Sequence, residues 1–375
     1  MTMLPKPQHS TTSAIFAQYE RMAERGGRPH LGASEIGHEC ERYLWLSFRW
    51  TKDAIFEGRM LRLFATGNQQ ESRLVADLRS IGCTVSDADQ DGQQWRYSAI
   101  GGHFGGSMDA AVLGIPEAPK TWHVAEFKTS NTKGFAALTK SGVKRTKPQH
   151  YAQMQMYMGW SGMDRAIYLV VCKDTDELYS ERIEFDRGYF EQMIARAKRI
   201  ISDQVPGVKM TADSFSCKYC RFQQVCHGTE APQVNCRTCC HSTPEQTGNG
   251  TWSCARGVQD MTTSNQRKGC ADHRHIPQLL EQFAEVIDSP GDNVIRYTNK
   301  ITGAEFVQPT YSSQEITDCA DKAQLGDKFT DDLKSIFAAE VKPLDDDLVS
   351  DMPWLEPVKT ISYKSAKKTR SRSAG

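Results

Sequence analysis

The sequence carries no net charge: lysine plus arginine number 46, and aspartate plus glutamate number 46, in 375 residues. That balance excludes a globally basic nucleic-acid binder, so any nucleic-acid surface must be a local patch. Long apolar runs are missing too. The longest, Ala166 to Cys172, has strand length and falls far short of the roughly 18 residues of a membrane helix. The opening stretch MTMLPKPQHSTTSAIF has no apolar signal core, which argues against secretion. There is no Walker-type phosphate loop, so no ATPase motor is expected, and no nucleophile elbow of a Ser/His/Asp hydrolase. No internal repeat is visible.

Cysteine is what the chain has in excess. Twelve are present, and eight lie between Cys217 and Cys270. Disulfide frameworks suit small secreted domains. In a chain of this length without a signal core, clustered thiols favour metal binding and a cytoplasmic setting. At about 150 residues per domain, the length predicts two or three domains. Hydrophobic content of 39% and charged content of 25% are ordinary for a water-soluble chain with a sizeable core.

Along the chain, residues 1–30 read as a polar extension with a short amphipathic piece at Ser13–Arg25. Leu31–Trp50 reads as a loop entering a helix, with Ser34 as a candidate N-cap. Arg59–Ile81 is a strong helix by the spacing of Leu61, Phe64, Leu74, Val75 and Leu78. Gln94–Ile100 alternates and Gly101–Gly106 is glycine-rich. Ser107–Leu113 and Trp122–Thr129 read as paired strands around Gly114, Pro116 and Pro119. Thr129–Gln149 reads as a basic loop with Lys133, Lys140, Lys144, Arg145 and Lys147 and no acid. Pro148–Gly159 is a helix, Arg165–Lys173 a buried strand, Leu178–Phe185 its neighbour, and Asp186–Val205 an amphipathic helix. After the cysteines, Pro277–Asp288 reads as helical. Short strands at Asn293–Tyr297 and Glu305–Gln308 and a helix near Asp327–Ala339 follow. An acidic stretch, Asp345–Asp351, and a basic tail, Lys364–Arg372, read as flexible.

Chemistry concentrates in Gly105-Gly106-Ser107-Met108-Asp109 and, seventeen residues after Asp109, Glu126-Phe127-Lys128. Strand alternation puts Glu126 and Lys128 on one face and Phe127 on the other. Carboxylates on adjacent strands can share a hard cation such as Mg2+, which takes oxygen ligands. Such a cation lowers the pKa of bound water and stabilises charge on a phosphoryl oxygen, while a neighbouring lysine holds or deprotonates the water. Isolated, an ExK triplet is usually a solvated strand face. Glu71 offers a third carboxylate from the preceding helix. Gln153 and Tyr157 share a helix face, with Gln149 one turn back. The basic run beside them would supply salt-dependent affinity for a phosphate backbone.

Glu71, the GGSM-Asp109 strand, Glu126-x-Lys128 and Gln153-x3-Tyr157 resemble, in order and approximate spacing, the PD-(D/E)xK nuclease superfamily. The resemblance is to its RecB-like and lambda-exonuclease-like branch and covers about residues 31–226. It implies an α/β restriction-endonuclease-like fold, a mixed sheet flanked by helices. It also implies Mg2+- or Mn2+-dependent hydrolysis of DNA phosphodiesters. In that reading Glu71, Asp109, Glu126 and the Phe127 carbonyl bind the metal, and Lys128 positions or activates water. Gln153 and Tyr157 orient the DNA or the ligands, and Lys133, Lys140, Lys144, Arg145, Lys147 and Gln149 contact DNA. RecB-like members often carry His where this chain has Glu71, as lambda-exonuclease-like members do.

Cys217-x2-Cys220-x5-Cys226 provides three thiolates, with distant Cys40 as the fourth candidate and His38 or His227 as alternatives. This resembles the iron–sulfur branch of RecB-like nucleases, including CRISPR-associated exonucleases, and implies a [4Fe–4S] cluster that staples the fold. Zinc or free thiols are the other readings. Cys236-x2-Cys239, Cys254 and Cys270 are spaced like a structural four-thiolate zinc site, with Cys240, His241, His273 and His275 as substitutes and Trp252 placed to pack over it. Cys83, Cys172 and Cys319 read as buried and inert. His103 and His123 read as packed or surface residues.

The expected organisation is an extension over 1–30, a nuclease core over 31–228 and a zinc-binding segment over 229–277. A small α/β segment over 278–345 and a tail over 346–375 complete it. The implied activity is a DNA exonuclease, by resemblance resecting 5′ ends in recombination, repair or replication. DNA and single-strand annealing or recombination proteins would be its partners. Combined with the extra cysteines, the chain looks like phage-encoded members, which would place it in the host cytoplasm. A non-catalytic nucleic-acid-binding module and a restriction-type endonuclease are the alternatives. Intact Asp109, Glu126 and Lys128 weigh against the first, and the Gln153/Tyr157 helix against the second.

Overall fold

A computed structural model describes residues 10–23, 26–89, 91–337 and 339–341. The acidic stretch and the basic tail lie outside the described residues. The architecture is mixed α/β. A five-stranded sheet runs in the order Thr84–Ser86, Ala110–Ile115, Ala118–Ser130, Arg165–Cys172, Leu178–Glu184. Every adjacent pair is antiparallel except Ala118–Ser130 with Arg165–Cys172, which run parallel with Glu126 opposite Tyr168. A parallel pair needs a long crossover. Here the helices Thr132–Thr146 and Pro148–Ser161 supply it.

The alternation predicted for the central strand sorts its side chains between two cores. Ala125 and Phe127 join Ala110, Val112, Ile167 and Leu169 under Leu74, Val75 and Leu78 of the helix Gly58–Ser80. Val124 joins the larger core under Pro148–Ser161, Glu41–Phe48 and Arg187–Ser202. Tyr151 to Met158 are all buried. The Gln/Tyr/Met stripe is therefore an inner layer, and Gln153 and Tyr157 are pressed against the sheet face that carries Glu126.

A second, small sheet sets Leu31–Gly32 parallel to Phe104–Ser107, which pairs antiparallel with Arg96–Ala99. Its glycines permit close approach. A Cβ on Gly106 would meet the Tyr157 hydroxyl at 2.7 Å, and one on Gly105 the Tyr97 carbonyl at 2.4 Å.

The cysteine-rich stretch docks on this core. Its hairpin, Ser242–Pro244 with Trp252–Cys254, buries Trp252 against Phe48 and His103. Arg237 is 1% exposed and has no acidic partner among the described residues. Its guanidinium lies 3.5 Å from the Trp50 ring and donates to the Phe48 and Pro29 carbonyls and to Gln266. A three-stranded antiparallel sheet, Ala284–Gly291, Val294–Asn299 and Glu305–Gln308, follows with its own core around Phe283, Tyr297, Phe306 and Tyr311.

Three local expectations need correction. The basic run Thr129–Gln149 is largely helix, Thr132–Thr146, capped by the Asn131 side chain and bent at Gly142 with φ 70°. Leu138 and Val143 anchor it, and apolar anchors fix a helix whatever the charge of its outer face. Pro277–Asp288 is one 3-10 turn, Pro277–Leu279, followed by the strand Ala284–Gly291. The turn at Asn293, with φ 58°, folds that strand back on Val294–Asn299, and cross-strand pairing outweighs the helical spacing. Ser34 caps no helix. Cys40 occupies the N-cap of Glu41–Phe48, and the Ser34 hydroxyl accepts from Arg28 at 3.0 Å.

Candidate active site

Glu126 sits on the central strand with its side chain wholly buried. Its charge partner among the described residues is Lys128, with which it forms a close, hydrogen-bonded ion pair. Burial pushes Glu126 up to about 8, more than Lys128 pulls it down. Burial works to lower Lys128 as well, but the charges of Glu126 and Asp109 hold it above its ordinary value. The ammonium also donates to the Phe127 carbonyl at 3.0 Å and stands 3.8 Å from Asp109. Asp109, at the head of the neighbouring strand, accepts the Phe127 backbone N–H at 2.9 Å. The two strands are thus tied together where Asp109 and Lys128 line one cleft.

That cleft, of about 480 Å³, is lined by Asp109, Lys128, Gln149, Gln153 and Tyr157, and Gly106 gives it a flat wall. Gln153 donates to the Tyr157 hydroxyl at 3.5 Å. Burial, then the charge of Glu126, raises the Tyr157 pKa above its ordinary value, so the hydroxyl stays protonated. Glu71 lines an adjoining cavity of about 640 Å³ that shares Asp109 and Gln94 with the first. Burial raises the Glu71 pKa, and Asp109 raises it further.

Three carboxylates therefore feel one another across the junction of two clefts. Among the described residues no three His, Cys, Asp or Glu side chains stand at ready metal-ligating separation. The donors nonetheless fit a hard cation. They are all oxygen, they repel one another, and the most buried of them is shut away from water beside the Lys128 ammonium.

Five cleft residues were not foreseen as part of the site: Arg28, His30, Ser34, Gln94 and His150. His150 Nδ1 lies 2.6 Å from the Tyr168 hydroxyl. Burial, with Lys128 and Lys147 nearby, holds its pKa down at about 3, so the ring is neutral at neutral pH. Its position one turn before Gln153, on the cleft-facing stripe, was the available signal. Arg28 and His30 carried none, since a loop far from the motif brings them in.

Of the basic residues, Lys133, Lys140, Lys144 and Arg145 are exposed on the helix after the central strand, and Lys147 is half-buried. None of the five forms an ion pair among the described residues. Lys144 covers the Tyr151 ring at 4.9 Å. Gln149 alone of the foreseen DNA-contacting residues reaches the cleft wall.

None of the twelve cysteines forms a disulfide. Burial pushes Cys226 up to about 12; Arg42 lowers it, and Cys220, Cys40 and Cys217 add to the rise, while among the described residues no three of these side chains stand at metal-ligating separation. Cys217 Sγ is 3.8 Å from His227 Nε2, while His38 accepts the Cys40 N–H at 3.0 Å. In the second group burial, then Cys270, Cys239 and Cys254, push Cys236 up to about 11. Cys239 is instead lowered to about 6, chiefly by a hydrogen bond from Cys240. The substitute histidines are engaged elsewhere, His241 with Asn293, His273 with Asn235 and His275 near the Ser313 carbonyl. Clustered cysteines of this kind, whose thiolates would repel one another, are the donor set that a soft metal takes. Trp252 packs against Phe48, His103 and the Arg49 and Arg237 guanidiniums. Cys83, Cys172 and Cys319 are buried, as are His103 and His123.

No family model and no curated protein matches the sequence. Among solved structures the chain is similar to LHK-Exo in complex with dAMP, at 18% identity and a TM-score of 0.34, over 50% of this chain and 89% of that one. It is likewise similar to an alkaline exonuclease, LHK-Exo from Laribacter hongkongensis, at 16% identity and a TM-score of 0.32, with the same coverage. A third neighbour, SSO0001, matches at 14% identity and a TM-score of 0.37, over 58% of this chain and 97% of that one. No described helix is long and apolar enough to cross a membrane. Structural neighbours of this chain thus include alkaline exonucleases, at a likeness too faint to assign residues.

Proposed function

We propose that this chain is a divalent-metal-dependent DNA exonuclease with a PD-(D/E)xK site. The observation that carries the reading is Glu126: a wholly buried carboxylate whose charge partner is Lys128, which lines the adjoining cleft together with Asp109. Burying such a group costs several kcal/mol unless something compensates it. Fold stability alone gives no reason to keep it. Glu71, Asp109, Glu126 and the Phe127 carbonyl would hold Mg2+ or Mn2+. The bound cation would supply acidification of water and charge stabilisation at the phosphoryl group. Lys128 holds the attacking water beside the scissile phosphodiester. Gln153 and Tyr157 fix the strand's position from the helix above. Lys133, Lys140, Lys144, Arg145, Lys147 and Gln149 attract the phosphate backbone.

Residues 31–228 form the nuclease unit in this reading, closed by a [4Fe–4S] cluster on Cys40, Cys217, Cys220 and Cys226. Zinc on Cys236, Cys239, Cys254 and Cys270 stiffens segment 229–277. The reaction is end resection, with the 5′ end as the proposed start and recombination proteins as downstream partners. Digestion of linear DNA labelled at one end or the other tests this, with Mg2+ or Mn2+, on wild type and Lys128→Ala purified anaerobically. Metal-dependent release from one end, lowered at least about a hundredfold in the variant, is expected. Circular single-stranded DNA should survive. No digestion of any linear substrate by protein carrying its full iron and zinc would overturn the proposal.

A further inference from the structure

A second groove of about 440 Å³ opens from the active-site cleft and shares Arg28, His30 and Ser34 with it. Its far end is aromatic. Phe56 and Phe64 stack edge to face at 5.1 Å, yet they remain 43% and 44% exposed. Two phenyl rings left more than two-fifths exposed beside a polar cleft forgo part of the burial that would stabilise the fold, so their place on the wall is not explained by folding. The flanks are cationic. Arg28 and Arg221 line the groove, and neither is paired with a carboxylate among the described residues. Arg28 donates to Ser34 and Arg221 to Ser47, while the Arg221 Nε is buried without a partner. Glu35 is the only carboxylate among the described lining residues.

We infer that this groove binds an unpaired DNA strand, its bases stacked on Phe56 and Phe64 and its phosphates held by Arg28 and Arg221. The inference rests on the nuclease reading of the adjoining cleft. Continuity with that cleft selects the occupant: a strand whose phosphodiester lies at Lys128 extends past Arg28 into the groove. Aromatic faces accept any base, so the site is tolerant of sequence but selective for bases that are splayed free. A paired duplex keeps its bases stacked on one another and cannot present them to these rings. Arg221 lies between Cys220 and Phe222, so the cysteine turn itself delivers one groove wall.

The test uses the full chain with its cysteine-bound metals and no added Mg2+ or Mn2+, so that DNA is held and not cut. Fluorescence anisotropy compares a labelled single-stranded oligothymidylate with an abasic strand of the same phosphate count. Wild type should prefer the oligothymidylate by about tenfold or more, the range of base–aromatic stacking. Phe56→Ala and Phe64→Ala should lose that preference while binding the abasic strand as wild type does. Phe64→Trp should keep it, which guards against a folding defect. Equal wild-type affinity for the two strands, or alanine variants that retain the preference, overturns the inference. Base preference without hydrolysis would leave the groove standing and remove the nuclease reading. Hydrolysis without base preference would do the reverse.

Discussion

His150 offers a quantitative check on the cleft. The imidazole is half-buried against Tyr168, with Lys128 and Lys147 nearby, and its pKa falls from an ordinary 6.5 to about 3. In the unfolded chain the same ring titrates near 6.5. The folded state therefore binds fewer protons than the unfolded state throughout that window, and stability rises with pH there. The contribution is fully present above 6.5 and is lost as pH falls toward 3. Integrated from pH 7 to pH 5, one such histidine costs the fold about 2 kcal/mol, and about 3 kcal/mol by pH 4. His150→Gln retains a polar partner for the Tyr168 hydroxyl and removes the titration. Urea unfolding followed by tryptophan fluorescence at pH 7, 6 and 5, without divalent metal, reads the difference. The stability gap between variant and wild type should shift by about 2 kcal/mol in favour of the variant on acidification. Parallel pH profiles would show that His150 is solvated and that the cleft wall is not packed as described.

Glu126→Gln should abolish hydrolysis while leaving DNA affinity in metal-free buffer within about threefold, because a neutral amide keeps the shape and loses the charge that holds the cation; retained activity would exclude Glu126 as a ligand. In thermal melts Mg2+ or Mn2+ should stabilise wild type by about 2.7 kcal/mol at a hundredfold excess over Kd, and Glu126→Gln by far less. Arg237→Met should cost about 3 kcal/mol or more, since the Phe48 and Pro29 carbonyls and Gln266 each lose a donor. A melt equal to wild type would mean those acceptors find water. Elemental analysis separates the cysteine groups: Cys226→Ser should lower iron and spare zinc, and Cys254→Ser should do the opposite. Loss of both metals from either variant would contradict two independent sites.

Most of the site's own strand and helix was legible in the sequence. The alternation through Glu126, Phe127 and Lys128 needs only a strand, and the sharing of a face by Gln153 and Tyr157 needs only a helix. The grouping of Cys40 with Cys217, Cys220 and Cys226 is an expectation from a family resemblance, across a separation in sequence that no local rule spans. The helix over the basic run and the strand at Ala284–Gly291 were not legible. In each case a distant partner decided between local options: packing of Leu138 and Val143 in the first, pairing with Val294–Asn299 in the second.

The sequence by itself determined the chemistry available: oxygen ligands and a lysine on one strand, thiols at metal spacing, and cations on one stretch of chain. Those properties live in residue identity and in periods of two and 3.6, which are local. Only the tertiary structure decided that Glu126 would be stripped of water, that Arg28, His30 and His150 would join its cleft, and that Phe56 and Phe64 would remain bare beside it. Desolvation and adjacency arise when elements far apart in sequence pack together, and no single segment contains them.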